Sequence, residues 1–312
     1  MQCLVTGGAG FIGSHIVAGL RSQGGLVRVL DDFSTGQPGN LEVRTPAEKV
    51  GPLEIVEADV RDAARVAEAV RGIEVVFHEA AFVSVPASMK RPAECFDVNC
   101  MGTLVLLEAA RAAGVRRVVL ASSAAVYGDS QELPLQEGSA PQPPSPYAAS
   151  KLVDEIYASL YTHAMGLEVC ALRYFNAFGP RQRPDTQYAA AVPIFIRQML
   201  KQQAPTIFGD GGQTRDLIFV GDVVRANLLA AEHPGAAGEV FNVCTGRTTR
   251  ILDLIDALHK LIPGAPAADF APKRTGDIYE SVGSPAKARA MLGFDAQTSL
   301  LDGLKETVAW MQ

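Results

Sequence analysis

A tyrosine, a lysine and a serine in this sequence have the types and spacing for acid–base chemistry on a hydroxyl group. Tyr147 and Lys151 lie four residues apart behind Pro146, which suits a first helical turn, so both side chains share one helix face. A free phenol titrates near ~10, and a nearby ammonium group favours the phenolate and lowers that pKa. Ser123 ends an apolar run and is expected to hydrogen-bond the reacting hydroxyl, while Ser122 caps the strand end. An isolated pair of this kind is typical of an amphipathic surface helix, so the catalytic interpretation depends on the rest of the sequence.

A glycine-rich turn near the start of the chain predicts a site for a dinucleotide. Gly7, Gly10 and Gly13 follow the first apolar run and open the first helical stretch, so backbone N–H groups can approach a pyrophosphate. The helix N-terminus adds partial positive charge there. Asp31 lies 21 residues beyond Gly10, at the end of the second apolar run. A carboxylate there accepts hydrogen bonds from the ribose hydroxyls and repels a 2′-phosphate, which favours NAD over NADP. A bound, positively charged nicotinamide would also favour a phenolate at Tyr147.

Other residues near the predicted cofactor are less specific. Arg28 and Arg44 weigh towards NADP, but neither directly follows Asp31. Asp32 fits a carboxylate on a solvated turn better than its neighbour does. Asp59 ends the third apolar run, where a carboxylate can accept from the adenine amino group. The small residues after the fourth run, Ala80 and Ala81, let a cofactor lie flat against the backbone.

Apolar runs and helix-like stretches alternate through the first half of the chain. This rhythm predicts an α/β fold with a Rossmann-type, doubly wound parallel sheet and helices on both faces. The predicted strands are Gln2–Thr6, Leu26–Asp31, Leu53–Glu57, Val75–His78, Val118–Ser122 and Glu168–Arg173. The predicted helices between them are Phe11–Gln23, Asp62–Val70, Ala93–Ala113 and Pro146–Met165.

The rhythm changes at about Asn176, where Gly and Pro become frequent. We therefore predict an NAD-binding domain over residues 1–175, with a return segment at 222–244, and a smaller C-terminal α/β substrate domain over 176–312. Further helices are expected at Ala190–Lys201, Val223–Ala231 and Asp253–Leu261, and a strand at Val240–Val243.

Composition excludes several classes of protein. The 312 residues are 48% hydrophobic and 20% charged, as in globular proteins rather than disordered or collagen-like chains. The net charge of −6 and the lack of a basic run argue against a nucleic-acid partner. No apolar stretch approaches the ~18–20 residues of a membrane helix, and the first residues leave no room for a signal peptide. Five cysteines without a Cys-x-x-Cys pair predict reduced thiols and a cytoplasmic protein. The five histidines form no ligand cluster, so no metal site is expected.

Taken together, the motifs resemble the extended short-chain dehydrogenase/reductase superfamily and, within it, the UDP-sugar 4-epimerases. The resemblance covers nearly all of the chain. Its motifs are Thr6–His15, Asp31-Asp32, Asp59–Asp62, His78–Ala81, Asn99, Ser122–Gly128, Tyr147 with Lys151, Leu172–Asn176, Gly209–Asp216 and Arg274–Asp277. In this superfamily the dehydratases and the UDP-glucuronate decarboxylases carry an acid just after the catalytic Ser or Thr. Ala124 and Ala125 stand there, which favours epimerisation.

The resemblance also implies ligand contacts that spacing alone does not reach. With the glycine turn, it predicts NAD contacts at Gly7, Gly10, Phe11, Ile12, Gly13, Asp31, Asp32, Asp59, Val60, Ala80, Ala81, Asn99, Tyr147, Lys151 and Tyr174. It implies UDP-sugar contacts at Ser84, Ser123, Tyr147, Asn176, Ala191, Val192, Phe208, Arg215, Arg274, Asp277 and Ser281. Asn176 would contact a phosphate, Arg215 and Arg274 the pyrophosphate, and Asp277 the uridine ribose. Guanidinium groups suit a diphosphate because they present a fork of N–H donors.

One position bears on which sugar is used. In the resembling epimerases, position 281 borders the C2 substituent, and a tyrosine there restricts the site to UDP-glucose and UDP-galactose. Ser281 is smaller, and the segment Tyr188–Pro193 looks closest to the N-acetyl-hexosamine branch. We expect NAD-dependent interconversion of UDP-N-acetylglucosamine and UDP-N-acetylgalactosamine, with some activity on the non-acetylated pair. Alternatively, Ser281 is an ordinary loop residue and a neighbour such as Tyr279 fills the space.

The same residues are compatible with two other functions. The nearest alternative is a UDP-glucuronate 4-epimerase or decarboxylase, and one of another class is a non-catalytic NAD(H)-binding regulator on the same fold. The intact set of Ser123, Tyr147 and Lys151 argues against the regulator.

The helical stretches Ala93–Ala113 and Pro146–Met165 look apolar on more than one face. The resemblance implies a homodimer through a four-helix bundle, whereas burial within one chain is the alternative.

Overall fold

The computed structural model describes residues 1–42, 50–185, 190–273 and 278–312. The strands, numbered along the chain, are β1 (Gln2–Thr6), β2 (Leu26–Asp31), β3 (Leu53–Glu57), β4 (Val75–His78), β5 (Arg117–Ser123), β6 (Glu168–Tyr174), β7 (Asn176–Phe178), β8 (Thr206–Phe208), β9 (Thr214–Arg215), β10 (Leu217–Phe219), β11 (Val240–Val243), β12 (Thr249–Arg250) and β13 (Asp269–Ala271). The helices are α1 (Phe11–Ser22), α2 (Ala63–Ala69), α3 (Val85–Lys90), α4 (Pro92–Phe96), α5 (Gly102–Ala112), α6 (Pro146–Ala164), α7 (Ala191–Leu200), α8 (Val220–Glu232), α9 (Ile251–Leu261), α10 (Ala286–Leu292) and α11 (Leu300–Met311).

Seven parallel strands form the main sheet, in the order β11-β6-β5-β4-β1-β2-β3. The strand order reverses beside β1, as in doubly wound sheets, where ligands bind beyond the carboxyl ends of the strands. The register pairs Thr6 with His78 and Ser123 with Tyr174. The cofactor turn after β1 and the predicted catalytic serine therefore lie along the same edge of one sheet. The predicted α/β fold class is confirmed.

Apolar clusters cover both faces of this sheet, and a third cluster lies apart from it. One face packs α1 and α8 against residues such as Val5 and Phe241. The other face packs α2, α5 and α6 against residues such as Leu4 and Leu120. The third cluster joins α7, α9 and α11 through residues such as Ile196 and Leu254.

After β6, the described part of the chain returns to the main sheet at one strand. β11 pairs with β6, with Val243 opposite Tyr174. Three small two-stranded sheets, β7–β10, β9–β12 and β8–β13, link the remaining C-terminal elements. The division into domains at residues 175 and 176 stays a prediction.

The predicted helix Ala93–Ala113 is wrong as one regular element. The structure divides it into α4, a wider π turn over Asp97–Met101, and α5. The π turn carries Asn99 inward, where the side chain is buried. Helical periodicity does not reveal this extra residue, because the apolar pattern continues on both sides of it.

Three further observations concern classes of protein that composition addressed. Across the described residues, every helix is too short or too polar to cross a membrane. All five cysteines are buried free thiols. In the described ranges, no three His, Cys, Asp or Glu side chains are grouped so that they could hold a metal ion.

Candidate active site

The glycine turn forms a tight cradle at the start of α1. Gly7 has φ +65°, and a Cβ atom there would lie 2.6 Å from the backbone nitrogen of Ala80. A Cβ on Gly13 would overlap the carbonyl oxygen of Gly7. Gly10 caps the helix without a side-chain hydrogen bond, which leaves the first N–H groups of α1 for a ligand. The predicted neighbours Phe11 and Ile12 form the first turn of α1.

Asp31 holds this cradle in place from the end of β2. Its Oδ2 accepts from the backbone N–H of Ala9 at 2.8 Å, and its Oδ1 accepts from that of Phe33 at 2.9 Å. Burial raises the pKa of this carboxyl, while the two backbone bonds oppose the rise. Each oxygen has a second lone pair for a ribose hydroxyl. Asp32 is exposed and accepts from Ser34, so its cofactor contact stays a prediction.

Two of the predicted NAD contacts are occupied by other protein groups. Asp59 pairs with Arg61 at 2.5 Å, and this hydrogen bond lowers the pKa of the Asp59 carboxyl. Arg61 also pairs with Asp97, while Val60 beside them is buried. The Asn99 amide binds both backbone polar groups of Phe82, at 2.7 and 3.2 Å.

The loop after β4 is thereby held against α6. Asn99 also donates to Ser150 Oγ on α6 at 2.8 Å, so it links this loop to the helix that carries Lys151. Ala80 and Ala81 lie in the same loop, and Ala80 is the residue that faces Gly7. The spacing of the sequence carries no signal for this positioning role of Asn99.

The three predicted catalytic residues lie on two neighbouring elements. Ser123 ends β5 and accepts from the backbone N–H of Ala125 at 3.1 Å. Tyr147 and Lys151 lie on α6, whose first turn is capped by Ser145. Burial disfavours the Lys151 ammonium, but Asp154 and Tyr147 outweigh it, so the pKa of Lys151 is raised. Tyr147 and Lys151 lie one turn apart on this helix, and the action of the ammonium on the phenol stays a prediction.

Three carboxyl groups near these residues were not singled out by the sequence, and two of them, Asp154 and Glu155, are buried. Asp154 lies 3.3 Å from Lys151, and burial raises the pKa of Asp154 to about 6 although Lys151 opposes the rise. Burial likewise raises the pKa of Glu79 to about 7, and Lys151 also opposes this rise. Glu155 accepts from Ser122 at 2.5 Å and pairs with Arg173 at 2.7 Å. Ser122 thus ties β5 to α6 rather than simply capping the strand end.

Tyr174 contacts Glu79, the second of these carboxyl groups. Its hydroxyl donates to Glu79 Oε1 at 2.7 Å, and Asn227 Nδ2 donates to the Tyr174 oxygen at 2.8 Å. Acidic residues three and four positions after Lys151 are a signal that would have identified Asp154 and Glu155, since such residues share a helix face.

Five predicted substrate contacts line a single cavity of about 450 Å³ in the C-terminal part of the chain. They come from four separate elements and are Asn176, Ala191, Val192, Phe208 and Arg215. The walls are mostly apolar, with a few polar groups such as Gln213, which is typical of a small-molecule site. Phe208 and Gln213 also line a smaller neighbouring cavity of about 220 Å³.

The other predicted substrate residues lie elsewhere or outside the described residues. Arg274 and Asp277 lie outside them, as do Arg44 and the first two residues of the segment Tyr188–Pro193. Ser84 caps α3 by accepting from the Ala87 N–H at 3.1 Å. Ser281 is partly buried and does not belong to the described lining of either cavity. Tyr279 donates to Asp210 at 3.2 Å and faces the smaller cavity.

Comparison with known proteins gives the same class as the fold and the site. Residues 3–244 match the NAD dependent epimerase/dehydratase family. The UDP-glucose 4-epimerase of Mycolicibacterium smegmatis is 40% identical over 319 residues, which cover 100% of this chain and 99% of that protein. A UDP-N-acetyl-alpha-D-glucosaminuronate decarboxylase of Bacillus cytotoxicus is 32% identical over 323 residues, covering 100% and 98%.

Two solved structures are similar over nearly their whole length. The UDP-N-acetylglucosamine 4-epimerase of Methanobrevibacter ruminantium, in complex with UDP-N-acetylmuramic acid, has a TM-score of 0.93 at 35% identity and covers 99% of this chain and 97% of its own. The UDP-glucose 4-epimerase of Thermus thermophilus, in complex with NAD, has a TM-score of 0.88 at 38% identity and covers 99% and 98%.

The chain belongs to the NAD dependent epimerase/dehydratase family. Within that family it is an NAD-dependent UDP-sugar epimerase. The predicted family, cofactor and enzyme class are therefore confirmed.

Proposed function

We propose that this enzyme interconverts UDP-N-acetylglucosamine and UDP-N-acetylgalactosamine at C4, with activity on UDP-glucose and UDP-galactose as well. One observation carries the acid–base chemistry of this proposal. Lys151 is only 3% exposed, and it lies one helical turn from Tyr147 on α6. A buried ammonium beside a phenol stabilises the phenolate, which is the base that the reaction requires.

NAD fits the cofactor end of the sheet. The close approach of Gly7 to Ala80 leaves backbone rather than side chains against a ligand, and α1 has no side-chain cap. When bound, NAD supplies the acceptor for the C4 hydride and returns that hydride. Asp31 would hold the adenosine ribose, and Lys151 the nicotinamide ribose.

The residues of the chain then move one proton and hold the diphosphate. Tyr147, as the phenolate, takes the proton of the sugar 4-hydroxyl directly or through Ser123 and later gives it back. Asn176 and Arg215 hold the diphosphate while the 4-keto sugar turns about its diphosphate linkage to present its other face. Binding energy must therefore concentrate on the UDP part, so that the sugar can rotate.

The preference for acetylated sugars is supported by two side chains. Ser281 is small, and it lies in the segment that follows the proposed uridine contacts. Tyr279, the neighbour that offers an alternative filling for this space, has its hydroxyl bonded to Asp210 and its ring beneath the Lys273 ammonium at 5.6 Å. We therefore propose that neither Ser281 nor Tyr279 fills the space beside the C2 substituent, so that an N-acetyl group fits there.

A panel of UDP-sugars tests this function. The purified enzyme is incubated with UDP-N-acetylglucosamine, UDP-glucose, UDP-glucuronate and UDP-N-acetylglucosaminuronate, and NMR identifies the products. C4 epimers of the two neutral sugars are expected. Carbon dioxide and a pentose product would establish a decarboxylase instead, which the Bacillus cytotoxicus relative makes the second candidate. Binding of NAD without any turnover would favour a regulator.

The substitution Ser281→Tyr tests the sugar preference separately. A tyrosine ring there should abolish turnover of the acetylated pair and spare the non-acetylated pair. Ser281→Ala is the matched control, because it removes the hydroxyl without filling space. Equal loss of both activities in Ser281→Tyr would mean that other residues bound the sugar.

We also propose that two copies of the chain pair through a four-helix bundle. Four large apolar side chains on the helical region around α4, α5 and α6 are exposed in the single chain: Phe96, Met101, Ile156 and Leu160. The alternative interpretation was that these side chains are buried within one chain, but these four are exposed. Removing such a surface from water favours association.

A further inference from the structure

Asp216 lies directly behind the proposed substrate cavity. It separates β9 from β10, and its two neighbours, Arg215 and Leu217, both line the cavity. Side chains alternate in extended backbone, so the Asp216 carboxylate points to the opposite side. That side chain is fully buried.

Four neutral donors hold the Asp216 carboxylate. Its Oδ1 accepts from the Thr245 backbone N–H at 2.8 Å and from the Thr245 hydroxyl at 2.7 Å. Its Oδ2 accepts from the backbone N–H groups of Gly246 at 2.9 Å and Gly283 at 3.3 Å. Burial raises the pKa of this carboxyl, and these hydrogen bonds oppose the rise. A buried charge is costly unless such donors stay in place, so the three segments are strongly tied together.

The main chain of Asp216 reaches the cavity from the same point. Its carbonyl oxygen accepts from the Asn176 backbone N–H at 3.1 Å and from Asn176 Nδ2 at 3.2 Å. One residue therefore connects the proposed diphosphate contacts, Asn176 and Arg215, with Gly283, two residues after Ser281. The proposed contacts to the diphosphate and to the sugar therefore meet at one buried carboxylate.

We propose that Asp216 is a positioning residue that sets the span of the UDP-sugar site by clamping the wall of Asn176 and Arg215 to the segment of Ser281. It touches no substrate itself. The inference rests on the proposed function, which puts the diphosphate between Asn176 and Arg215. This clamp, formed by Asp216 and its hydrogen bonds, affects the binding of UDP, whereas Tyr147 performs the proton transfer.

The test replaces Asp216 with asparagine. The shape is kept, but an amide NH₂ group then faces two of the N–H donors and cannot accept from them. We expect KM for UDP-N-acetylglucosamine and Ki for UDP to rise roughly 10-fold, with kcat within about 3-fold of wild type. NAD content should not change, because the cofactor contacts lie at another part of the sheet edge.

Asp222→Asn is the matched control. Asp222 is also buried, accepts from the backbone N–H groups of Gln297 and Thr298 at 3.0 and 2.9 Å, and pairs with Arg225. Residues 297 and 298 belong to the described lining of neither cavity. Asp222→Asn should therefore lower thermal stability but leave KM and Ki unchanged. A purely structural role of Asp216 would do the same, by lowering only the fraction of active enzyme.

The outcomes separate this inference from the proposed function. Unchanged KM and Ki in Asp216→Asn, or an equal shift in Asp222→Asn, would overturn the clamp. If the wild type binds UDP without turnover, the proposed function fails while the UDP affinities still test the clamp. A wild type that does not bind UDP would overturn both. Should Asp216→Asn not fold, Thr245→Val removes one donor to the same carboxylate, and a rise of roughly 3-fold in KM and Ki is expected.

Discussion

Replacing Lys151 with methionine should separate the catalytic and structural parts of the site. Methionine keeps the length of the side chain but removes the ammonium, which is buried and lies 3.3 Å from Asp154 Oδ2. The other oxygen of Asp154, Oδ1, has no hydrogen-bond partner among the described residues. Losing Lys151 therefore leaves a buried carboxylate without its main compensation.

The size of the effect follows from that burial. Removing one partner of a buried ion pair lowers the free energy of unfolding by about 3–5 kcal/mol. At roughly 2–4 °C per kcal/mol, the melting temperature should fall by about 10 °C. Turnover should fall by at least ~10²-fold, because the Tyr147 phenol loses the charge that favours its phenolate.

The stability loss should also depend on pH. The pKa of Asp154 is already raised to about 6 in the wild type, chiefly by burial, and without the Lys151 ammonium it rises further. A carboxyl group whose pKa is higher in the folded state than in the unfolded state destabilises the fold fully above its folded-state pKa. This destabilisation disappears as the pH falls towards the unfolded-state pKa and the carboxyl group becomes protonated in both states. The difference in melting temperature between wild type and Lys151→Met should therefore narrow as the pH falls from about 8 to about 5.

A double variant provides the decisive comparison. Lys151→Met/Asp154→Asn removes the uncompensated charge, so it should regain more than half of the lost stability and remain inactive; Asp154→Asn alone is the control. Melting curves and UDP-sugar turnover of the four proteins form a double-mutant cycle. A Lys151→Met variant as stable as wild type, or a double variant that recovers turnover, would refute this account of the pair.

Three shorter predictions test other parts of the molecule. Tyr147→Phe should keep NAD and UDP-sugar binding and lose at least ~10²-fold in turnover, the scale of one positioned acid–base group; a wild-type rate would contradict the mechanism. Asp31→Ser should weaken NAD binding and relax the exclusion of the 2′-phosphate, measured by titrating both cofactors into stripped protein; a wild type that prefers NADP would exclude this role. Ile156→Asp should turn a dimer into a monomer on light scattering, since a charge there opposes burial of the exposed apolar face, whereas a wild type that is already monomeric would rule out the bundle.

The sequence alone determined those features that depend on short-range order. Short apolar runs and helical stretches are set by local chain geometry, so the strands and the parallel sheet were predictable. The glycine turn and the four-residue spacing of Tyr147 and Lys151 were also predictable, because each depends only on residues within one or two helical turns. The position of Asp31 beside the glycine turn was predictable because the strand before it sets its distance from the turn.

The tertiary structure alone decided how distant segments meet. The carboxylate of Asp216 is bonded to Thr245, Gly246 and Gly283, which lie 29, 30 and 67 residues away. The inward turn of Asn99 depends on a single extra residue in a helix. The residues of the proposed substrate cavity were predicted from a resemblance rather than from spacing, because they come from separate elements. Such contacts depend on how packed elements dock, and no local periodicity records which donors reach a buried carboxylate across loops of that length.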